Sequence, residues 1–205
     1  MLILLVALFF SLANASIANA IGPIPPDPVP TQTFTIVNEN GVSAQAIRVE
    51  EQAIVEQSTV IREHWHTPLV RFGVGGWKIY LVRYGSQLGQ YIPVGAAGVH
   101  LVTPGKFVCS QLSLSCWTGA TPFAIIGYPG RGWMPGTVDH EIIEMLVDPY
   151  ADRYINGHLV EPCDPVEVNG YGSANVDLSD FVYPRYYTSG SSGPWDYLDI
   201  LKRIP

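Results

Sequence analysis

The chain has 205 residues, of which 47% are hydrophobic and 14% are charged, a composition typical of a globular protein and unlike that of a disordered one. Its 11 basic and 18 acidic residues give a formal net charge of -7, and the basic residues are scattered along the chain. Because nucleic-acid binding needs clustered positive charge, the sequence argues against nucleic acid as a partner. The length fits one domain with a sizeable core, or two small ones.

The N-terminus carries a targeting pattern. Residues 2–12 are almost entirely apolar, and small-x-small tripeptides of the kind that signal peptidases cleave follow at 13–15 and 18–20. The sequence therefore predicts a signal peptide over residues 1–20, cleaved after Ala20, and a secreted protein in an extracellular or periplasmic compartment. The apolar run is shorter than the about 20 residues of a membrane span. Because no Lys or Arg precedes it, an uncleaved anchor that holds the protein at a membrane stays the alternative.

Proline spacing and hydrophobic periodicity organise the rest of the chain. Five prolines within residues 21–30 indicate a stiff, extended segment, so we expect a spacer at 21–32 and a single domain at 33–205. The predicted elements of the domain are, in chain order, a strand at 33–37, a long helix at 42–65, strands at 77–84, 99–102, 107–109 and 123–126, turns at 127–136, a helix at 137–147, and a short amphipathic stretch at 195–201. This order indicates an α+β fold in which two main helices cover a sheet, with an irregular C-terminal part.

The helix predicted at 137–147 carries the pattern His-Glu-x-x-Glu. His140 and Glu144 are four residues apart, so their side chains project from one face, where both can meet one metal ion. Glu141 occupies the place of the general base in the His-Glu-x-x-His motif of zinc peptidases. Glu144 replaces the second His with a harder donor. Manganese is therefore a candidate metal in addition to zinc. The bare pattern is more often a solvated helix face than a metal site.

An acidic segment follows the helix and favours the metal site. Three carboxylates, those of Glu161, Asp164 and Glu167, lie within seven residues. A catalytic metal needs a third protein ligand, and either Glu161 or Asp164 is predicted to supply it. The alternative is a solvated acidic loop. The prolines and Cys163 between the acids instead indicate a rigid, partly buried segment, where carboxylates need a partner such as a cation.

The three cysteines divide into a pair and a single residue. Cys109 and Cys116 are close in sequence, and in an oxidising compartment this spacing predicts a local disulfide. The alternative is two buried free thiols. Cys163 is left over and is predicted to be a buried thiol beside the acidic segment.

Three segments resemble a known group of sequences. Residues 140–149, His-Glu-Ile-Ile-Glu-Met-Leu-Val-Asp-Pro, resemble the Ser-His-Glu-Leu-Leu-Glu-Met-Leu-Ala-Asp-Pro segment of a largely uncharacterised family of bacterial and phage proteins with a zincin-like pattern. The likeness continues through residues 161–167 and through 178–184, which are similar to that family's Val-Ser-Asp-Phe-Val-x-Pro. Asp139 departs from the pattern, because the family usually has Ser there.

The resemblance implies a zincin-like fold, in which a twisted mixed sheet carries an antiparallel edge strand above the cleft, assigned here to 123–126. It implies that His140 and Glu144 are metal ligands, that Glu141 is the general base, and that Glu161 or Asp164 completes the ligand set. Three further residues are predicted to lie around the ligands: Asp148, Asp180 and His100. Asp180 would orient His140 or cap a turn, and His100 would hydrogen-bond a substrate or pack as a core histidine.

These features favour a secreted metal-dependent hydrolase, in the first place a metallopeptidase. It would act on a peptide or protein substrate with a divalent metal, zinc before manganese, and with Glu141 as general base. The alternative is a non-catalytic zincin-like protein that uses its cleft for binding and holds a structural metal or none.

Overall fold

The computed structural model describes residues 29–102, 121–127, 134–173 and 176–202. Within these ranges lie two helices, which are α1 (Ala44–Trp65) and α2 (Pro135–Val147), and nine strands, which are β1 (Thr31–Asn38), β2 (Leu69–Phe72), β3 (Trp77–Leu81), β4 (Gly98–Val102), β5 (Pro122–Ile126), β6 (Tyr154–Ile155), β7 (His158–Leu159), β8 (Gly170–Ser173) and β9 (Val176–Ser179). The chain is therefore α+β, with two helices and a mixed sheet. Among the described residues, no helix is both long and apolar enough to cross a membrane.

Five strands form the main sheet in the order β2-β1-β3-β5-β4. β1 pairs in parallel with both β2 and β3, β3 pairs in parallel with β5, and β4 runs antiparallel to β5. The expectation that residues 123–126 form the antiparallel edge strand is wrong. All five residues of β5 are buried, as suits an interior parallel strand covered on both faces, and β4 ends the described sheet instead.

Helix α1 confirms the helix predicted at 42–65. The Ser43 hydroxyl caps its first turn by accepting a hydrogen bond from the Ala46 N–H at 3.1 Å. It ends at His66, which adopts a left-handed conformation and donates its N–H to the carbonyl of Arg62. The buried residues recur at helical spacing, so one face of α1 packs into the molecule.

Strand alternation sends the side chains of β3 to two different cores. Ile79 and Leu81 join Ile54 of α1 and Ile142 of α2 in the core beneath the helices. Tyr80 points the other way and joins the core on the far face of the sheet. Burying each large apolar side chain stabilises the fold by about 1.5–3 kcal/mol, and the core that contains Ile142 holds α2 against one face of the sheet.

The C-terminal part is more ordered than the sequence suggested. It contains two antiparallel hairpins, β6-β7 and β8-β9. In place of the amphipathic stretch expected at 195–201, Asp196 forms an isolated bridge with Val182. A third core, which includes Trp65, Ile143 and Phe181, joins this part to both helices. The predicted signal peptide, the strand expected at 107–109 and the predicted Cys109–Cys116 disulfide lie outside the described residues.

Candidate metal centre

Helix α2 places two of the predicted ligands side by side. It confirms the helix expected at 137–147 and begins slightly earlier, with Pro135 in its first turn, where the missing N–H is not needed. His140 and Glu144 project from one face, and His140 Nε2 lies 3.2 Å from Glu144 Oε1. Glu144 is only 3% exposed, because α2 is buried along most of its length.

The acidic segment returns to this face of α2. Asp164 begins a short 3-10 turn, and its Oδ1 lies 3.3 Å from His140 Nε2. The N–H of Cys163 donates to Glu144 Oε1 at 3.3 Å. The Tyr187 hydroxyl donates to the backbone carbonyl of Glu161 at 2.9 Å and so anchors the start of the segment. The segment is thus held against the helix by hydrogen bonds and is not a free loop.

Strand β4 contributes His100 to the candidate metal centre, whereas the sequence predicted this residue only in the surroundings of the ligands. Its Nδ1 lies 3.5 Å from Glu141 Oε2 and 3.4 Å from Glu144 Oε2, and its Nε2 lies 3.9 Å from Glu161 Oε2. His100 is 8% exposed, and its Nε2 has no hydrogen-bond partner among the described residues. It is opposite Ala124 of β5, a member of the core beneath the helices, so strand alternation turns His100 toward α2.

Gly98 allows β4 to come this close to the helix. A Cβ atom at this position would collide with Glu141 Oε1 and would come within 2.8 Å of the Thr137 methyl group. In the sequence, the glycine two residues before His100 was therefore the signal that its strand approaches another element closely.

The carboxylates and imidazoles change one another's pKa values. Burial disfavours the charged form of His140, but Glu144 and Asp164 outweigh it and raise its pKa to about 11. Burial likewise opposes the charge on His100, and Glu141 and Glu144 raise its pKa to about 10. For Glu144 the two histidines outweigh burial and lower its pKa to about 2. The carboxylates therefore stabilise the positively charged form of both histidines, and the histidines stabilise the negatively charged form of Glu144.

The other two carboxyl groups, those of Glu161 and Glu141, have raised pKa values. Burial raises the pKa of Glu161 to about 8, and the nearby Glu144 carboxylate adds to the effect. Burial also raises the pKa of Glu141, which is 4% exposed. Four carboxylates thus face two imidazoles, an arrangement that an added cation would relieve.

Two trios of side chains offer donor atoms that all lie within 4.8 Å of one another among the described residues. One trio is His140, Glu144 and Cys163, and the other is His100, Glu141 and Glu144. Glu144 belongs to both. In the described part of the chain neither Glu161 nor Asp164 completes such a trio, although Asp164 meets His140 and Glu161 faces His100. Burial keeps the Cys163 thiol neutral by raising its pKa.

Two of the predicted peripheral residues lie elsewhere and shape loops. The Asp148 carboxylate accepts hydrogen bonds from the N–H groups of Asp152, at 3.2 Å, and Arg153, at 2.8 Å, just after α2. The Asp180 carboxylate accepts from the N–H groups of Phe181 and Leu198 and so holds the C-terminal segment. These two bonds are of the kind that the turn-capping alternative for Asp180 predicts.

The cluster opens into a cleft of about 500 Å³, bounded by β4, α2 and the acidic segment. His100, His140, Glu141, Glu144 and Glu161 line it. The buried donors are thus reachable from a cavity large enough for part of a substrate chain. Comparisons of the chain with protein-family models, curated proteins and solved structures give no match.

Proposed function

We propose that the protein is a secreted metal-dependent hydrolase, in the first place a metallopeptidase, whose ion is held by His140 and Glu144. The observation that carries the proposal is the spacing of the donors. His140 Nε2 lies 3.2 Å from Glu144 Oε1 and 3.3 Å from Asp164 Oδ1. Charge-assisted hydrogen bonds are shorter, about 2.7–2.9 Å. Ligands of one tetrahedral ion with bonds near 2.1 Å lie roughly 3.4 Å apart, which matches these two distances from His140 Nε2.

The donor set fits a divalent transition metal. Imidazole nitrogen with carboxylate oxygen suits zinc, and the excess of oxygen donors suits manganese as well. Asp164 is the stronger candidate for the third ligand, because it faces His140 directly, whereas Glu161 faces His100. Cys163 is the other donor near His140 and completes a trio with His140 and Glu144; it would bind as a thiolate, a form that burial opposes by raising the pKa of its thiol.

Each residue of the chain has a distinct task in the proposed reaction. An ion at this site would supply Lewis-acid polarisation of a carbonyl and would lower the pKa of water. Glu141, one residue from a ligand and lining the cleft, accepts the proton of the attacking water and passes it to the leaving amine. Burial raises the pKa of Glu141, which suits a group that must both take and return a proton.

The sheet supports a peptide as the substrate and supports the zincin-like fold as the framework. β4 is the antiparallel edge strand of the described sheet and borders the cleft through Gly98, Val99 and His100. An extended peptide would pair with this edge through backbone hydrogen bonds, which would bring a peptide carbonyl beside His140.

The decisive experiment is Glu141→Gln, assayed on a peptide library with zinc and separately with manganese. We expect hydrolysis to fall roughly 100- to 10,000-fold, the usual contribution of a general base, while His140 and Glu144 still hold metal. Glu56→Gln on the exposed face of α1 is the matched control and should leave hydrolysis unchanged. Wild-type protein that retains no metal and cleaves nothing would favour the binding scaffold and refute the hydrolase.

A further inference from the structure

The cleft contains more donors than one ion uses. We propose that the centre holds two divalent cations bridged by the Glu144 carboxylate, the second one bound by His100 and Glu141. This inference rests on the proposed function, because it concerns the same cleft, and it adds a cation site to it. The first ion remains with His140, Glu144 and Asp164.

The two oxygens of Glu144 face different histidines. Oε1 lies 3.2 Å from His140 Nε2, and Oε2 lies 3.4 Å from His100 Nδ1. Each histidine also faces one further carboxylate, Asp164 for His140 and Glu141 for His100. A carboxylate that offers one oxygen to each of two ions is a bridging ligand, and bridged ions lie roughly 3.5–4 Å apart.

The contacts of His100 have the spacing of ligands. Its Nδ1 is 3.4 Å from Glu144 Oε2 and 3.5 Å from Glu141 Oε2, longer than the about 2.7–2.9 Å of a typical charge-assisted hydrogen bond. Donors arranged around a cation stay about 3.4 Å apart, because each bonds to the ion and not to its neighbours.

Charge balance also favours two ions. Four carboxylates converge on two histidines: Glu141, Glu144, Glu161 and Asp164. With neutral histidines these groups carry four negative charges, which one divalent ion would only half compensate. Two divalent ions would neutralise the cluster, and the charges of Glu141 and Glu144, which are buried whereas Asp164 is largely exposed, need such compensation.

A second ion also accounts for two buried atoms without partners. In the part of the chain that the structure describes, His100 Nε2 and Glu161 Oε2 have no hydrogen-bond partner, although they lie 3.9 Å apart. When Nδ1 of a histidine binds a metal, its Nε2 carries the proton and commonly donates it to a carboxylate. Glu161 is placed to accept that proton after a small shift. Its role is then to orient His100, and Asp164 remains the ligand of the first ion.

Glu141 keeps a proton-accepting oxygen in the two-ion centre. Oε2 faces His100 and binds the second ion, while Oε1 lies against Gly98 on the wall of the cleft. A carboxylate bound through one oxygen can still accept a proton on the other. The second ion therefore adds to the proposed role of Glu141.

The test is metal stoichiometry of the full chain, freed of metal, loaded with Mn²⁺ and measured by elemental analysis and electron paramagnetic resonance. We expect two ions per wild-type chain with an exchange-coupled signal, and one ion with an uncoupled signal in His100→Ala. His158→Ala, on exposed strand β7, is the matched control and should keep two ions.

Each other outcome refutes the inference. One ion in wild type overturns the second site and leaves the one-ion hydrolase standing. Two ions in both wild type and His100→Ala overturn the proposed ligand set. No bound ion at saturating Mn²⁺ and Zn²⁺ overturns both proposals. If His100→Ala does not fold, the coupled or uncoupled signal of the wild-type protein decides.

Discussion

The Nδ1 atom of His100 lies 3.4 Å from the Oε2 atom of Glu144, although one residue belongs to an edge strand and the other to a helix. This contact makes the candidate centre a tertiary feature. Changes that move β4 away from α2 should therefore damage the centre even where they touch no donor atom.

Gly98→Ala tests the close approach of β4 to α2. The added methyl group would collide with Glu141 Oε1, so we expect Glu141 to move and peptide hydrolysis to fall by about 100-fold, the usual cost of a misplacement near 1 Å. Gly73→Ala is the control, since among the described residues its Cβ would meet only the Thr33 methyl group, at 3.8 Å. Equal activity of the two variants would contradict the role given to Gly98.

Metal binding should stabilise the folded protein. A ligand at 100 times its dissociation constant raises the free energy of unfolding by about 2.7 kcal/mol per site. We therefore expect Zn²⁺ to raise the melting temperature of chelator-treated protein, as measured by calorimetry. His140→Ala should remove the part of this rise that belongs to the first site, whereas His158→Ala, on the exposed hairpin, should retain the whole rise. A rise of the same size in His140→Ala would exclude His140 as a ligand.

Asp180→Ala should weaken the fold and spare the metal centre. The Asp180 carboxylate accepts two backbone N–H groups, and their loss should lower the free energy of unfolding by about 1–3 kcal/mol. Metal stoichiometry should not change, because Asp180 belongs to the C-terminal core. Denaturant titration and metal analysis of the same preparation check both parts, and lost metal with full stability would restore the orienting role.

Glu50 should make stability depend on pH. It is fully buried on α1, and burial, with the nearby Asp139 carboxylate, raises its pKa to about 8 from an ordinary value of 4.5. The folded state therefore binds this proton more tightly, so Glu50 destabilises the fold increasingly as pH rises from 4.5 to 8. Between pH 4.5 and pH 8 we expect the free energy of unfolding of Glu50→Gln to rise by roughly 3 kcal/mol relative to that of wild type.

Urea titrations of wild type and Glu50→Gln at pH 5 and pH 8 measure that gain. Glu56→Gln, on the exposed face of the same helix, is the control and should follow the wild-type pH dependence. A constant difference between wild type and Glu50→Gln at both pH values would show that Glu50 is not held protonated.

Local patterns predicted the parts of the molecule that depend on neighbours in sequence. The spacing of His140 and Glu144 placed both on one helix face, because a helix repeats every 3.6 residues wherever it forms. The bounds of α1 and α2 followed from the same periodicity to within two residues. The α+β class followed from the order of the elements.

Tertiary structure decided what depends on residues far apart in the chain. The resemblance assigned residues 123–126 to the edge strand, and the order of the sheet contradicts it, because an apolar run predicts a strand and not its neighbours in the sheet. The partners of His100 and Asp180 could not be predicted from the sequence either. The pairing of β4 with β5 determines those of His100, and the packing of the C-terminal segment determines those of Asp180. Sequence alone determined which donor residues α2 presents. Only the folding of β4 and the acidic segment against that helix decided which other donors meet them. Such contacts arise from packing and not from local periodicity.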